Sequence, residues 1–309
     1  MYSEKILITG ASGVIGQALR RELESAGYTN VVAISSKDAD LRDEAQTKEL
    51  FSEVKPSVVY HLAACVFGIM GNLQNKAKAF VENTRINTNV IDASHLAGVR
   101  KVVAMGSSAI YSDNVILPMS EEQVWNGPPH YSEASYAHSK RAMLAQLEAY
   151  SDQYGMEFAF CISTNLYGPF DKFDEQWGHV IPSLISKFYK ANMLGESVPV
   201  WGTGKARRDF LFNEDAARAM RMIGEQFNGT INLASGVSQT IRETAECIKK
   251  VSGFNGDIVW DATKPDGQHL REYDISKLQS LGFKPEHSLE QGLDKTYRWF
   301  KENIADVRR

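Results

Sequence analysis

Five short, almost unbroken apolar runs alternate with longer stretches of helical periodicity, and this alternation narrows the fold more than any other feature of the chain. The runs are Lys5–Thr9, Asn30–Ser35, Ser57–Ala63, Lys101–Ser107 and Glu157–Thr164. Strands that are apolar on both faces are covered on both faces, which is the habit of parallel sheets flanked by helices. Helical stretches fall at about 14–26, 43–54, 76–98 and 133–155. The pattern predicts α/β architecture built from βαβ units around a doubly wound parallel sheet.

After Thr164 the texture changes. Gly, Pro, Trp and Asp cluster in Tyr167–Gly178, and a helix is predicted near Pro182–Met193 with proline at its start. The turn-rich WGTGKARRDF follows, then a helix from Glu214, a strand at Thr230–Ala234 and a helix at Ile241–Ser252. The last strand is expected at Gly256–Asp261 and the last helix at Ser288–Asn303. The simplest division is a dinucleotide domain over 1–165 and a smaller α/β substrate-binding region over 166–309, some of whose segments return to the first sheet.

The first run leads into Gly10-Ala-Ser-Gly13-Val-Ile-Gly16 and then a helix. Gly10 would make the tight turn, Gly13 would let backbone N–H groups approach a pyrophosphate, and Gly16 would let the helix close on the sheet. Ser12, Val14 and Ile15 share that loop. The reading is a Rossmann-type cofactor site. The second run ends in Ser35-Ser36-Lys37, where an NAD site commonly carries an acid for the ribose 2′-hydroxyl. Hydroxyls and a lysine suit a 2′-phosphate, so NADP(H) is the expected cofactor; the alternative for Lys37 is a solvated surface charge. Asp40-Leu41 follows, where a carboxylate could accept from an adenine amino group or serve as an acid at a helix start.

Tyr136 and Lys140 form Tyr-x-x-x-Lys on a helical stretch, which places them on one face. Reducing a ketone requires a proton donor for the new alkoxide. A free phenol, with a pKa of about 10, is poorly poised at neutral pH, and a neighbouring ammonium would favour its ionised form. Ser107 closes a predicted strand 29 positions before Tyr136 and could hold the carbonyl oxygen. Together these residues describe a hydride-transfer site.

The formal net charge of -4 argues against a polyanion-binding surface, so no nucleic-acid partner is expected. Cys65, Cys161 and Cys247 lack metal-ligand spacing, and no metal is expected. No apolar run reaches the ~18 residues of a membrane span. With an N-terminus that enters a strand pattern directly, this predicts a cytoplasmic protein without a membrane partner.

These residues resemble the extended short-chain dehydrogenase/reductases and, more closely, the GDP-L-fucose synthases. The resemblance is collinear over nearly the whole chain and includes GSSAIY (106–111), YAHSK (136–140), TNLYGP (164–169), HVIP (179–182), VWGTG (200–204), RDFL (208–211) and KPDG (264–267). It implies a GDP-linked 4-keto sugar as substrate, a homodimer, and a place in surface-polysaccharide precursor synthesis. Tyr136 would be the proton donor, Lys140 its partner and a nicotinamide-ribose ligand, and Ser107 the carbonyl-orienting hydroxyl. Leu62, Ala63 and Ala64 would line the cofactor, as would Ser163, Asn165 and Leu166. His179 would touch the cofactor and stand at the position of the family's acid/base histidine. Ser108, Asn165, Lys187, Trp201, Arg208 and Arg271 would bind the GDP-sugar.

The chain departs from the resemblance at one position. That family epimerises C3 and C5 with a Cys and a His before reducing C4, and Ala109 stands where the Cys would be. A methyl neither gives nor takes a proton, and acid–base help of this kind is worth about 10²–10⁴-fold. The expectation is a C4 reductase with little or no epimerase activity. Cys65 is a candidate substitute, with an inert buried thiol as its other reading. The alternatives are a bifunctional 3,5-epimerase/4-reductase and a nucleotide-sugar 4-epimerase with bound NAD. A 4,6-dehydratase fits less well, because Ser107-Ser108-Ala109 supplies no acid.

Overall fold

The computed structural model describes residues 3–175, 178–264 and 270–308. In chain order its elements are β1 (Ile6–Thr9), α1 (Val14–Ser25), β2 (Val31–Ala33), α2 (Glu44–Val54), β3 (Val58–His61), α3 (Ile69–Gln74), α4 (Lys76–Leu96), β4 (Lys101–Met105), α5 (Ala134–Tyr154), β5 (Glu157–Ser163), β6 (Asn165–Tyr167), α6 (Val180–Leu194), β7 (Val198–Trp201), β8 (Arg207–Phe212), α7 (Asn213–Gln226), β9 (Gly229–Leu233), β10 (Ser238–Thr240), α8 (Ile241–Ser252), β11 (Ile258–Asp261), α9 (Ser276–Ser280) and α10 (Leu289–Glu302).

The central sheet has the order β2-β1-β3-β4-β5-β9 and is parallel throughout. The chain reverses direction of growth between β1 and β3, and such switch points open a crevice at the strands' C-terminal ends. Leu7, Ile8, Val59, Val102, Val103 and Ala104 are fully buried in these strands. Removing a Leu or Ile side chain from water contributes roughly 1.5–3 kcal/mol, which explains why the runs carry almost no polar residues.

The strand and helix expectations for the first half agree with the structure to within a few residues, and the sixth central strand is the predicted Thr230–Ala234 run. Two details differ. β4 ends at Met105, so Ser107 sits two residues beyond the strand. α6 begins at Val180, so Pro182 is its third residue. That position still lies among the first N–H groups, which have no partner within the helix.

Four short strands escaped the sequence reading. β6, β8 and β10 form a small sheet in the order β10-β8-β6, and β7 pairs with β11. The segment read as turn-rich, 201–210, holds the first four residues of β8. A second apolar cluster, with Phe173, Ile185, Phe188, Phe212, Ile248, Leu293 and Phe300, lies under these small sheets. Among the described residues, no helix is long and apolar enough to cross a membrane.

Candidate active site

The crevice at the switch point is shaped by glycine. Gly10 takes φ +68, and a Cβ there would lie 2.8 Å from the Ala63 nitrogen. Only glycine lets the two strand ends come so close. A Cβ on Gly16 would meet the Ala11 Cα and the Gly10 carbonyl at 2.5 Å, so α1 sits directly on the loop. Gly13 precedes α1, and no side chain caps that helix end. Its N–H groups and partial positive charge fit a pyrophosphate, with Val14 and Ile15 in the first turn and Ser12 exposed beside them.

At the end of β2, Asp38 organises the tip. Ser35 donates to its carboxylate through both N and Oγ, at 2.8 and 2.9 Å, and Ser36 and Lys37 remain exposed. Asp40, read either as an adenine acceptor or as an acid at a helix start, has its carboxylate engaged by Arg42 Nε and Nη2 at 2.9 and 2.8 Å. Those bonds hold it below the ordinary carboxylate range. Leu41 is buried, and its carbonyl accepts from Asn89.

A buried relay that sequence reasoning missed sets the next wall. Thr9 Oγ1 meets His61 Nδ1 at 2.9 Å, and His61 Nε2 meets Asn87 Oδ1 at 3.0 Å. Asn87 Oδ1 can only accept, so His61 carries its proton on Nε2. Burial holds this imidazole neutral, with its pKa drawn down to about 3. Thr9 Oγ1 also accepts from the Leu62 and Ala63 nitrogens, which fixes the backbone leading to Ala64. Asn87 in turn reaches the Ser139 carbonyl on α5, beside Lys140.

Ser107, Tyr136 and Lys140 converge where β4 ends. Ser107 caps a turn of 3-10 helix over Ser108–Ile110, its Oγ accepting from the Ala109 nitrogen at 3.2 Å, and it shares a hydrogen bond with Tyr136. Lys140 is buried, donates to the Met105 carbonyl at 2.8 Å, and stands 5.8 Å from the centre of the Tyr136 ring. The electrostatics differ from the expected depressed phenol. Burial pushes Tyr136 above its ordinary value, Glu133 adds to this, and the Ser107 bond opposes it. Burial also draws Lys140 down to about 7. The desolvation that brings the pair together penalises both of their ionised forms.

Ala109 is buried in that same turn. Cys65, the candidate substitute, lies elsewhere: its thiol contacts Glu82, near Arg42, and burial together with that carboxylate pushes it to about 11. Such a thiol stays protonated at neutral pH and offers no base there, and its charged neighbours are Glu82, Lys78 and Arg42 rather than Ser107, Tyr136 or Lys140.

On the far side, Ser163 donates to the Gly106 carbonyl at 3.2 Å and Asn165 to the Asp209 carbonyl at 3.0 Å, with Leu166 between β6 and β8. His179 is exposed at the N-cap of α6. Its charge acts on Asp171, a buried carboxyl raised chiefly by desolvation whose Oδ2 has no hydrogen-bond partner. Trp201 is 50% exposed at the end of β7, and Lys187 and Lys264 bring ammonium groups within 5.8 and 5.9 Å of its ring. Lys264 was not singled out in the sequence. The remaining residues of its motif, Pro265 to Gly267, lie outside the described residues.

Arg208 lies on β8 next to Asp209, whose buried carboxylate accepts from the Ser235 and Gly236 nitrogens at 3.0 and 2.8 Å. Arg271 is placed away from the Trp201 cluster. It donates to Ser108 Oγ at 3.1 Å and faces Glu133 at 3.7 Å, beside the Ser107–Tyr136 pair. Glu133 carried no sequence signal beyond its place one turn before Tyr136. Among the described residues, no cluster suits a metal ion.

The arrangement has counterparts among known proteins. Residues 6–234 match the model of the NAD dependent epimerase/dehydratase family. GDP-L-fucose synthase 1 of Arabidopsis thaliana is 38% identical over 307 residues, 98% of this chain and 95% of its own length. The crystal structure of a GDP-L-fucose synthetase from Naegleria fowleri bound to NADP superposes with a TM-score of 0.93 at 32% identity, covering 99% of this chain and 96% of that one. The GDP-6-OMe-4-keto-L-xylo-heptose reductase of C. jejuni superposes with a TM-score of 0.92 at 30% identity, covering 98% and 99%. The chain belongs to the NAD dependent epimerase/dehydratase family, within its GDP-L-fucose synthase-like branch of extended short-chain dehydrogenase/reductases.

Proposed function

We propose that this protein reduces the C4 ketone of a GDP-linked 4-keto-6-deoxy sugar, hexose or heptose, with NADPH, and performs little or no C3/C5 epimerisation. The observation that carries this reading is the buried Ala109 beside a complete Ser107–Tyr136–Lys140 arrangement. The C. jejuni heptose reductase supports reduction as a function of this fold.

The cofactor, when bound, supplies the hydride. The uncapped end of α1 would hold its pyrophosphate, and Ser35, Ser36 and Lys37 its 2′-phosphate. Ser107 Oγ, steadied by the Ala109 N–H, and the Tyr136 hydroxyl hold the carbonyl oxygen between them. As C4 gains the hydride its oxygen becomes an alkoxide and takes the Tyr136 proton. Lys140, fixed on the Met105 carbonyl, then stabilises the phenolate until solvent restores the proton. A phenol raised by burial stays protonated until that moment, as a donor must.

Epimerisation has different requirements. A proton must leave carbon on one face and return on the other, and Ala109 offers no group for half of that exchange. His179 then serves binding. Trp201, Lys187, Lys264 and Arg208 suit a nucleoside diphosphate, by stacking and by charge-assisted bonds to phosphate. The protein works as a homodimer through α4 and α5, whose outer face carries Val81, Ala142, Ala145 and Ala149, all exposed.

The test incubates enzyme, NADPH and GDP-4-keto-6-deoxymannose in D₂O. NADPH oxidation with deuterium absent from C3 and C5 is expected. Rapid deuterium uptake at either carbon refutes the reductase-only reading.

A further inference from the structure

We propose that Glu133 reads the substrate: its carboxylate accepts a hydrogen bond from a hydroxyl of the ketosugar while Arg271 donates to that same hydroxyl oxygen. This rests on the reductase reading above and adds to it the sugar group recognised next to the ketone.

Glu133 occupies the N-cap of α5, one turn before Tyr136, and the phenol feels its charge. Its carboxylate faces Arg271 Nη2 at 3.7 Å. That separation gives electrostatic contact without a direct hydrogen bond between these two atoms. A hydroxyl is both donor and acceptor, so it can bridge such a pair, giving its proton to the carboxylate and its lone pair to the guanidinium. The other branch of Arg271 donates to Ser108 Oγ, next in the chain to the carbonyl-orienting Ser107.

The position of Arg271 is built into the fold. It is 9% exposed. Leu270 bridges to Arg207 and Tyr273 to Met119, one on either side of it. Met119 and the 272–274 backbone exchange two hydrogen bonds of 2.8 and 2.9 Å, and buried Asn232 ties both carbonyls, Met119 and Asp274, to β9. A charged pair held this firmly beside the Ser107 and Tyr136 hydroxyls recognises a polar group, because an apolar one would strip water from it without replacement.

The hydroxyl can come from the ring carbon beside the ketone or from the side arm, and one experiment separates the two. Glu133→Gln preserves shape and removes the charge. Wild type and variant are compared with NADPH on two GDP-4-keto-6-deoxy sugars, the hexose with its methyl arm and the heptose with its hydroxyethyl arm. The expected result is a 10- to 100-fold fall in kcat/KM carried by KM, the range for losing a charge-assisted bond, with NADPH affinity unchanged by fluorescence titration. An equal fall on both sugars assigns the ring hydroxyl, and a fall confined to the heptose assigns the arm. Arg271→Lys, which keeps the charge but loses the fork, gives the same pattern. An unchanged KM overturns the proposal, as does a loss in kcat alone with a displaced pH profile, which would mean that Glu133 acts only on Tyr136. Wild type that binds NADPH yet reduces neither sugar overturns the reductase reading and this proposal with it.

Discussion

Burial and charge pull in opposite directions at Tyr136. Desolvation and Glu133 keep the phenol protonated, while Ser107 favours release of the proton. Tyr136→Phe removes the phenolic proton proposed to reach the alkoxide. Its kcat should fall by about 10²–10⁴-fold, the worth of a positioned general acid, with little change in NADPH affinity. Lys140 introduces the pH dependence. Its folded-state pKa is depressed to about 7 by burial, against about 10.4 when solvated. Across that window the unfolded chain holds a proton the folded chain has shed, so folding gains stability as pH rises. Activity follows the opposite course, because the ammonium is lost. The kcat/KM for NADPH should decline as pH rises through about 7. A profile flat to pH 9 would show that Lys140 stays charged or does not take part.

The element proposed to place the cofactor is α1, and its approach to the glycine loop is limited by one hydrogen atom. At Gly16 a side chain would collide with Ala11 and Gly10 backbone, which cannot swing aside. Gly16→Val should therefore push α1 off the loop, destabilise the protein by about 1–3 kcal/mol as overpacking does, and raise the Kd for NADPH by at least tenfold. Thermal melts with and without NADPH read both effects, and an unchanged ligand-induced shift in Tm would contradict it. β8 plays the matching part on the substrate side. Asp209, raised by burial to about 6, ties the loop after β9 to the strand carrying Arg208. Arg208, proposed to bind the substrate, thus stands on a paired strand, although the sequence leading to it reads as turn.

At the scale of the whole molecule, α4 and α5 lie side by side and are locked by Tyr150 on Asp92 and by His95 stacked on Tyr154. Their outer face has small side chains at Ala142, Ala145 and Ala149, with Val81 40% exposed opposite. Two such faces can approach closely around a twofold axis. Ala145→Arg should convert the proposed dimer to monomer in analytical ultracentrifugation. A wild-type monomer, or a variant still dimeric, would place the interface elsewhere. The same helices carry Tyr136 and Lys140 on α5 and Asn87 on α4, so separation of the subunits should also lower activity.

Much of this protein was legible without coordinates. A strand buried on both faces must be apolar, a helix end on a phosphate needs glycine before it, and Tyr136 and Lys140 share a face because a helix turns every 3.6 residues. These are local rules, and Gly10, Gly13, Gly16, Ser107, Tyr136 and Lys140 all obey them. Tertiary structure decided whatever depends on partners distant in the chain. β6, β7, β8 and β10 are each completed by hydrogen bonds to a strand distant in the chain, a pairing that no local pattern announces. Arg271 meets Ser108 across 163 positions, and Glu133 joins them only because the 270–275 segment is pinned against Met119. Charge states were equally hidden: the pKa values of Lys140, Tyr136 and His61 are set by how much water the assembled fold removes, a quantity that no spacing of residues encodes.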